Sequence, residues 1–324
     1  MRQTVNVMFL GGAKRVSMGR WLIEAGASLG LDVNLFSYEL SAQVPIACIA
    51  TVVIGKRWRD SCLMEHLHET VKENRIDILI PFVDPAVEVA QRYCMSAKGC
   101  WTPGGNADMS ARMFDKIEAD AVFRSLGFPL PANALLSEFE GLIIAKPRLG
   151  SASKGIRVID RDEMRRMGEG ETTEWLFQEY IGEREEFTVD CYVASTGEII
   201  CIVPRRRIEV SGGEVTVTQT LSDMEIEEWS RRILNALALT GPVTLQFLRE
   251  RKENGRLMLM EINPRLGGGA VCAVHAGADL PAYILGEWLG TTPDPCTTWE
   301  AGVKICRYFQ EVAFHEDNAS DNCG

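Results

Sequence analysis

The sequence predicts a mixed α/β protein of 324 residues. Three observations carry that reading. Apolar strand-like runs alternate with helix-period segments through the first hundred residues. Short apolar runs separated by glycine turns follow, as in antiparallel hairpins. The last of these hairpins ends in polar residues of the types that bind metal ions and phosphates.

Residues 5–10 read as a buried strand. Gly11-Gly12-Ala13 turns it into a helix with apolar positions Met18, Trp21, Leu22, Ala25 and Leu29. Residues 32–36 predict a second strand, 63–71 a helix, and 76–81 a third strand running into Phe82-Val83-Asp84. The glycine turn lacks G-x-G-x-x-G spacing, so a dinucleotide is not expected there. Residues 101–106 read as a linker. One helix follows, with Met109, Met113, Ile117 and Ala121 on one side, stopping near Gly127. Residues 142–147 and 155–159 predict strands around a small-residue loop, and 174–180 another strand. Residues 186–193 and 198–203 form a hairpin around Ser195-Thr196-Gly197, with Pro204 to Arg207 read as its end. Residues 214–220 follow the Gly212-Gly213 turn, and the helix after Asp223 carries Ile226, Trp229, Ile233 and Leu237. The last hairpin pairs residues 242–248 with 257–262 across Asn254-Gly255 and stops at Pro264.

Composition narrows the function classes. Hydrophobic residues at 46% and charged residues at 24% are those of an ordinary globular protein. A net charge of −11 disfavours nucleic-acid and anionic-membrane partners. No apolar stretch approaches membrane-spanning length, and the N-terminus does not read as a signal peptide. The ten cysteines are scattered without a Cys-x-x-Cys pair, so they are expected as buried small hydrophobes in a reducing compartment. A cytoplasmic protein is therefore expected, with a polar, flexible tail over residues 313–324. A homodimer is the default assembly because two-fold dimers are the commonest.

Several side chains have the chemistry of a phosphate site. Glu261 and Asn263 alternate along one strand, and Gln246 faces them from its hairpin partner. One carboxylate with two amide oxygens suits Mg²⁺ (or Mn²⁺) bound together with substrate phosphates. Arg265 follows as a bidentate anion clamp. Lys146 sits in the apolar strand Ile143-Ile144-Ala145-Lys146-Pro147, where an unpaired charge is costly and calls for an anion. Gly150-Ser151-Ala152-Ser153 is a small-residue loop whose N–H groups can close over phosphates. Arg205 and Arg207 share a strand face and make a local anion site in an acidic protein. Gly268, within Gly267-Gly268-Gly269, allows close backbone approach of a substrate. Asp84, at a strand end, is a contact for an acceptor substrate.

Glu261-Ile262-Asn263-Pro264-Arg265 closely resembles the metal-binding signature of ATP-grasp ligases, in the Gln/Glu/Asn variant of the carbamoyl-phosphate synthetase large chain. The resemblance runs from about residue 1 to about residue 309. It implies an ATP-grasp fold: a Rossmann-like pre-grasp domain at 1–105, a lid at 106–180, and a C-terminal subdomain with the metal site at 181–312. It implies that Lys116 and Lys146 hold ATP phosphates, with Arg112 as the alternative to Lys116. Gly150, Ser151 and Ser153 would cover the phosphates. Glu179, Tyr180 and Ile181 would line adenine, and Glu186 would hold the ribose. Gln246, Glu261 and Asn263 would be the metal ligands. The implied activity is ATP-dependent carboxylate–amine ligation through an acyl phosphate, with Lys146 and Arg265 catalytic and small carboxylates and amines as substrates. A carbamate- or bicarbonate-phosphorylating subunit and a non-catalytic ATP-binding regulatory subunit are the alternatives.

Overall fold

Strand β1 (Gln3–Leu10) is buried on both faces at the centre of a parallel sheet, which accounts for its unbroken apolar run. The computed structural model describes residues 2–150 and 154–314. After β1 come α1 (Val16–Ser28), β2 (Leu31–Glu39), β3 (Thr51–Ile54), α2 (Leu63–Glu73), β4 (Ile78–Pro81) and α3 (Asp84–Ser96). The sheet order is β3-β2-β1-β4. Sequence reasoning missed β3, an edge strand whose β-branched run Thr51-Val52-Val53-Ile54 is only four residues long and exposed or half-exposed throughout. Val5, Val7 and Phe9 enter one core and Met8 and Leu10 another, on opposite faces of β1.

The single helix expected after residue 106 is two, α4 (Ala107–Phe114) and α5 (Lys116–Ser125). Asp115 breaks it. Its backbone is extended, and its carboxylate accepts from the Ile117 and Glu118 amides as an N-cap. Met113, Ala119, Val122 and Phe123 of these helices share a core with the largest sheet. A small three-stranded sheet follows, made by β5 (Ile143–Pro147), β6 (Arg157–Ile159) and, beyond the short helices α6 (Arg161–Arg166) and α7 (Glu169–Thr172), β7 (Trp175–Glu179). Its order is β6-β5-β7, and Ile143, Ala145, Ile159 and Phe177 form its own core.

The remaining chain builds a six-stranded sheet from β8 (Arg184–Val193), β9 (Ile199–Ser211), β10 (Glu214–Thr220), β11 (Gly241–Glu250), β12 (Leu257–Asn263) and β13 (Lys304–Cys306), with order β12-β11-β8-β9-β10-β13. Three helices accompany it: α8 (Met224–Leu237), α9 (Val271–His275) and α10 (Leu280–Trp288). Strand β9 does not end at Arg205–Arg207; those residues pair with β8 and β10 in its middle.

Alternation along β8 gives this sheet its two faces. Phe187, Val189, Cys191 and Val193 point into the core beneath α5 and α8. Glu186, Thr188 and Asp190 point the other way. Further along that second face, Tyr192, Cys201 and Val203 pack with the first lobe and with α9 and α10. One sheet face is thus polar at one end and sealed by apolar residues at the other. All nine described cysteines are free thiols, but Cys48, Cys62 and Cys306 are exposed rather than buried.

Candidate active site

A β-bulge aims the predicted metal ligands. Gln246 pairs with Glu261 and Phe247 with Leu259, so Met260 is the extra residue. Leu257, Leu259, Glu261 and Asn263 have the same parity and would share one face of a regular strand. The bulge shifts the phase. Leu257 and Leu259 stay in the core, while Glu261 and Asn263 turn to the polar face. Gln246 Nε2 and Asn263 Nδ2 both donate to Glu261 Oε1, at 2.6 and 3.1 Å. Met260 itself packs with Ile181, Leu248 and Met258.

These residues line a cavity of about 570 Å³ between the small and large sheets and the first lobe. Eight Lys and Arg residues line it against five Asp and Glu, so the cavity suits an anion although the chain is acidic. Lys146 is buried on β5, and its Nζ donates to Gln178 Oε1 at 2.8 Å. Gln178 Nε2 donates to Asp120 Oδ1 at 2.8 Å, and Asp120 is paired with Arg124 at 2.7 Å. Lys146 thus contacts a neutral amide, not a carboxylate, and burial pushes its pKa down to about 8. Lys116 starts α5 and donates to the Gly150 carbonyl at 2.6 Å; burial lowers its pKa too. Arg148 donates to Asp115 at 2.6 Å, tying the strand leading into this loop to the cap of α5.

The opposite end of the cavity is rich in guanidinium groups. Arg205 is buried and donates to Asp190 at 2.6 Å. Arg207 Nη1 donates to Gln246 Oε1 at 3.0 Å, and its Nε lies 3.6 Å from Glu186. Arg265 Nε donates to Asp84 Oδ1 at 2.5 Å, joining the end of β12 to the start of α3. A Cβ on Gly269 would lie 2.9 Å from Arg205 Nη1, so the glycine turn makes room for that guanidinium.

Residues 171–310 match the model of a family described as ATP-grasp in the biosynthetic pathway with Ter operon. The fold also matches solved structures. The biotin carboxylase domain of Hydrogenobacter thermophilus 2-oxoglutarate carboxylase, in complex with MgADP, ADP and bicarbonate, gives a TM-score of 0.69 at 17% identity, over 89% of this chain and 70% of that one. N5-carboxyaminoimidazole synthetase from Staphylococcus aureus, complexed with ADP, gives 0.71 at 15%, over 91% and 80%. L-amino acid ligase from Bacillus licheniformis gives 0.66 at 17%, over 89% and 75%. The chain has the ATP-grasp fold. No curated protein matches its sequence.

The ATP-grasp cleft brings Asp84, Lys116, Lys146, Gly150, Tyr180, Glu186, Arg205, Arg207, Gln246, Glu261, Asn263, Arg265 and Gly268 to one cavity. Arg112 is exposed and does not line it. Two other expected residues are outside its lining. Glu179 holds Arg256 at 2.8 Å, with its amide donating to the Ala132 carbonyl, and Ile181 packs beside Met260. Ser151 and Ser153 lie outside the described residues. Glu186 is held by Arg184 at 2.9 Å, as well as by Arg207.

Among the lining residues that sequence reasoning missed are Arg15, Thr188 and Met260. Thr188 could have been found two residues after Glu186 on an alternating strand. Its buried Oγ1 has no hydrogen-bond partner among the described residues. The clash of parity between Leu257, Leu259 and Glu261 was the available sign of the bulge. Glu39 was also missed: its buried carboxylate accepts from the Gly12 and Ala13 amides, so the first glycine turn is occupied from within.

Proposed function

We propose that this protein is an ATP-dependent carboxylate–amine ligase that forms an acyl phosphate and releases ADP and phosphate. The observation that carries this reading is the convergence of Gln246, Glu261 and Asn263 on one cavity with Lys116, Lys146 and Arg265. Similar folds have been solved with MgADP, with ADP and as an amino acid ligase, which supports ATP and Mg²⁺ as the cofactors here.

The residues fit a divalent cation that arrives with nucleotide. Among the described residues no cluster of His, Cys, Asp and Glu could hold a metal ion without help. Glu261 supplies one carboxylate, and the side-chain nitrogens of Gln246 and Asn263 donate to it at 2.6 and 3.1 Å, so the two amides would turn to offer their oxygens to an ion. That sparse oxygen set suits Mg²⁺, which keeps phosphate and water ligands. When bound, the ion would neutralise charge on the β- and γ-phosphates.

The chain's own groups do the rest. Lys146 and Lys116 face the phosphates from the small-sheet side of the cleft. Ile144, Leu176, Tyr180 and Met260 supply an apolar wall for adenine, and Glu186 is placed for the ribose hydroxyls. A substrate carboxylate oxygen attacks the γ-phosphorus, the bond to the β–γ bridging oxygen breaks, and ADP leaves. Arg265 and Arg207 hold the carboxylate and the acyl phosphate. An amine nitrogen then attacks the acyl carbon, the carbon–oxygen bond to phosphate breaks, and the nitrogen loses a proton. No enzyme nucleophile is needed.

Small-molecule substrates fit the cavity size. Among the described residues no helix is long and apolar enough to cross a membrane. The test is ADP and phosphate release from MgATP with pooled amino acids, dicarboxylates, amines and bicarbonate, with mass spectrometry of products. A condensed product that depends on a carboxylate–amine pair supports the reading. ADP release with bicarbonate alone would favour a bicarbonate-phosphorylating enzyme. AMP and pyrophosphate would overturn the acyl phosphate. Glu261→Ala should lower turnover by on the order of 100-fold or more, a loss seen even for groups that only orient a ligand. Unchanged turnover would remove the metal assignment.

A further inference from the structure

Arg15 stands at the start of α1 and lines the cavity, with its side chain 15% exposed. Its Nη1 is fully buried and has no hydrogen-bond partner among the described residues. An orphaned guanidinium nitrogen inside a protein is costly. Arg265 and Arg205 do not share this deficit, although Arg207 Nε does. Arg265 holds Asp84 at 2.5 Å, and Arg205 holds Asp190 at 2.6 Å. Arg15 and Arg307 instead divide one carboxylate, Glu214, at 3.6 and 3.1 Å. This end of the cleft therefore carries one positive charge more than its acids balance. Burial first, and then the nearby Arg307 and Arg265, lower the basicity of Arg15 against the pull of Glu214. The turn facing it is glycine: a Cβ on Gly268 would lie 3.4 Å from Nη1.

We propose that Arg15 and the facing Gly268 turn form a second anion subsite, and that the carboxylate substrate carries a second anionic group, carboxylate or phosphate, held by Arg15. The substrate class is then a dicarboxylate or a phosphorylated carboxylate. One group is activated beside Arg265 and Arg207, and the other fills the space against Arg15. This rests on the ligase reading above.

The test is calorimetric titration of succinate, 3-phosphonopropionate and butyrate into the full chain saturated with MgADP. A dianion should bind at least about ten-fold tighter than butyrate, the scale of one charge-assisted hydrogen bond. Preference for succinate or for the phosphonate distinguishes the two sources of the second charge. Arg15→Gln should erase the preference with MgADP affinity unchanged, and Arg15→Lys should keep part of it. Gly268→Ala narrows the subsite without changing charge and should weaken the dianion alone, which covers the case of an unstable Arg15 variant. Equal affinity for butyrate and both dianions in the wild type would overturn the proposal, as would a preference that survives Arg15→Gln. Failure of MgADP to bind the wild type would count against the ligase reading instead. The same titrations without nucleotide still decide the subsite.

Discussion

Arg265 and Asp84 are 181 positions apart in the chain, and the Arg265 Nε donates to Asp84 Oδ1 at 2.5 Å. Read separately, the two residues are a phosphate clamp and an acceptor contact. Together they are a strut between the first lobe and the strand that carries Glu261 and Asn263. Arg265 Nη1 also donates to the Leu266 carbonyl at 3.2 Å, so the guanidinium is held at two edges. Its side chain is only 15% exposed and that of Asp84 9%.

Asp84→Asn should therefore act on both stability and turnover. Removing one partner of a largely buried pair leaves the other uncompensated, at a cost of about 3 kcal/mol. Arg265 would also lose the group that fixes its fork, so kcat should fall on the order of ten-fold, while the KM for ATP moves little. Chemical denaturation and steady-state kinetics check the two effects. An Asp84→Asn protein with wild-type midpoint and kcat would remove the strut.

Lys146 gives a pH prediction with a fixed sign. Burial is the main cause of its depressed pKa of about 8; Glu261 and Asp120 oppose the shift, and Lys116 and Arg184 add to it. The charged form is the one that would hold phosphate. In the free protein, kcat/KM for ATP should therefore fall as pH rises through about 8. Stability should move the other way. The unfolded lysine keeps its proton up to its ordinary 10.5, so between about 8 and 10.5 the unfolded state binds more protons. Folding stability rises with pH across that window, by about 3 kcal/mol from this group. Lys146→Met should abolish this part of the slope as well as ATP turnover. A denaturation series from pH 7 to 10.5 that is parallel in wild type and Lys146→Met would contradict the assignment.

The bulge at Met260 can be tested by length rather than by chemistry. Deleting Met260 makes Leu259 and Glu261 neighbours and keeps the Phe247–Leu259 and Gln246–Glu261 pairs, so Glu261 stays on the polar face of a regular β12. What is lost is the packing of Met260 against Ile181, Leu248 and Met258, a cost of about 2–5 kcal/mol. The deletion protein should therefore fold with a lowered midpoint. Met260→Leu keeps the extra residue and nearly the same volume, so it should cost less than about 1.5 kcal/mol. Circular dichroism melts of the two variants suffice, and a deletion protein that does not fold would show that Met260 does more than fill the bulge.

This strand marks where the sequence was legible. Residue types and order exposed the Gln246, Glu261 and Asn263 set, because a hairpin brings i and j into register by local rules. The same rules located Lys146, an isolated charge in an apolar strand. They could not show that Asp84 and Arg265 meet, since no local period links residues in different lobes. Arg15 was invisible for a related reason: a lone arginine after a glycine turn reads as solvated until the 267–269 turn is folded over it. The split of α4 and α5 was readable in principle from Asp115, a capping residue inside an apolar period. The edge strand β3 was readable in the same way, from the β-branched run Thr51-Val52-Val53-Ile54.

Gly269 provides the last prediction. Arg205 fills the space where a side chain would stand; a Cβ there would come within 2.8 Å of Val215 Cγ1, 2.9 Å of Arg205 Nη1 and 3.0 Å of its Cζ. These neighbours have little freedom to yield. Arg205 is anchored to Asp190 at 2.6 Å and lies against Thr218 at 3.5 Å, and Val215 is buried. Gly269→Ala should thus cost about 1–3 kcal/mol through overpacking. Where it displaces Arg205, it leaves Asp190 buried without its partner, so the loss should exceed that of an ordinary surface change. Gly105→Ala is the control, because its nearest neighbour would be Thr240 Oγ1 at 3.9 Å, an ordinary contact. Its denaturation midpoint should stay near wild type. Equal midpoints for Gly269→Ala and Gly105→Ala would mean that the 267–269 turn is not packed on Arg205.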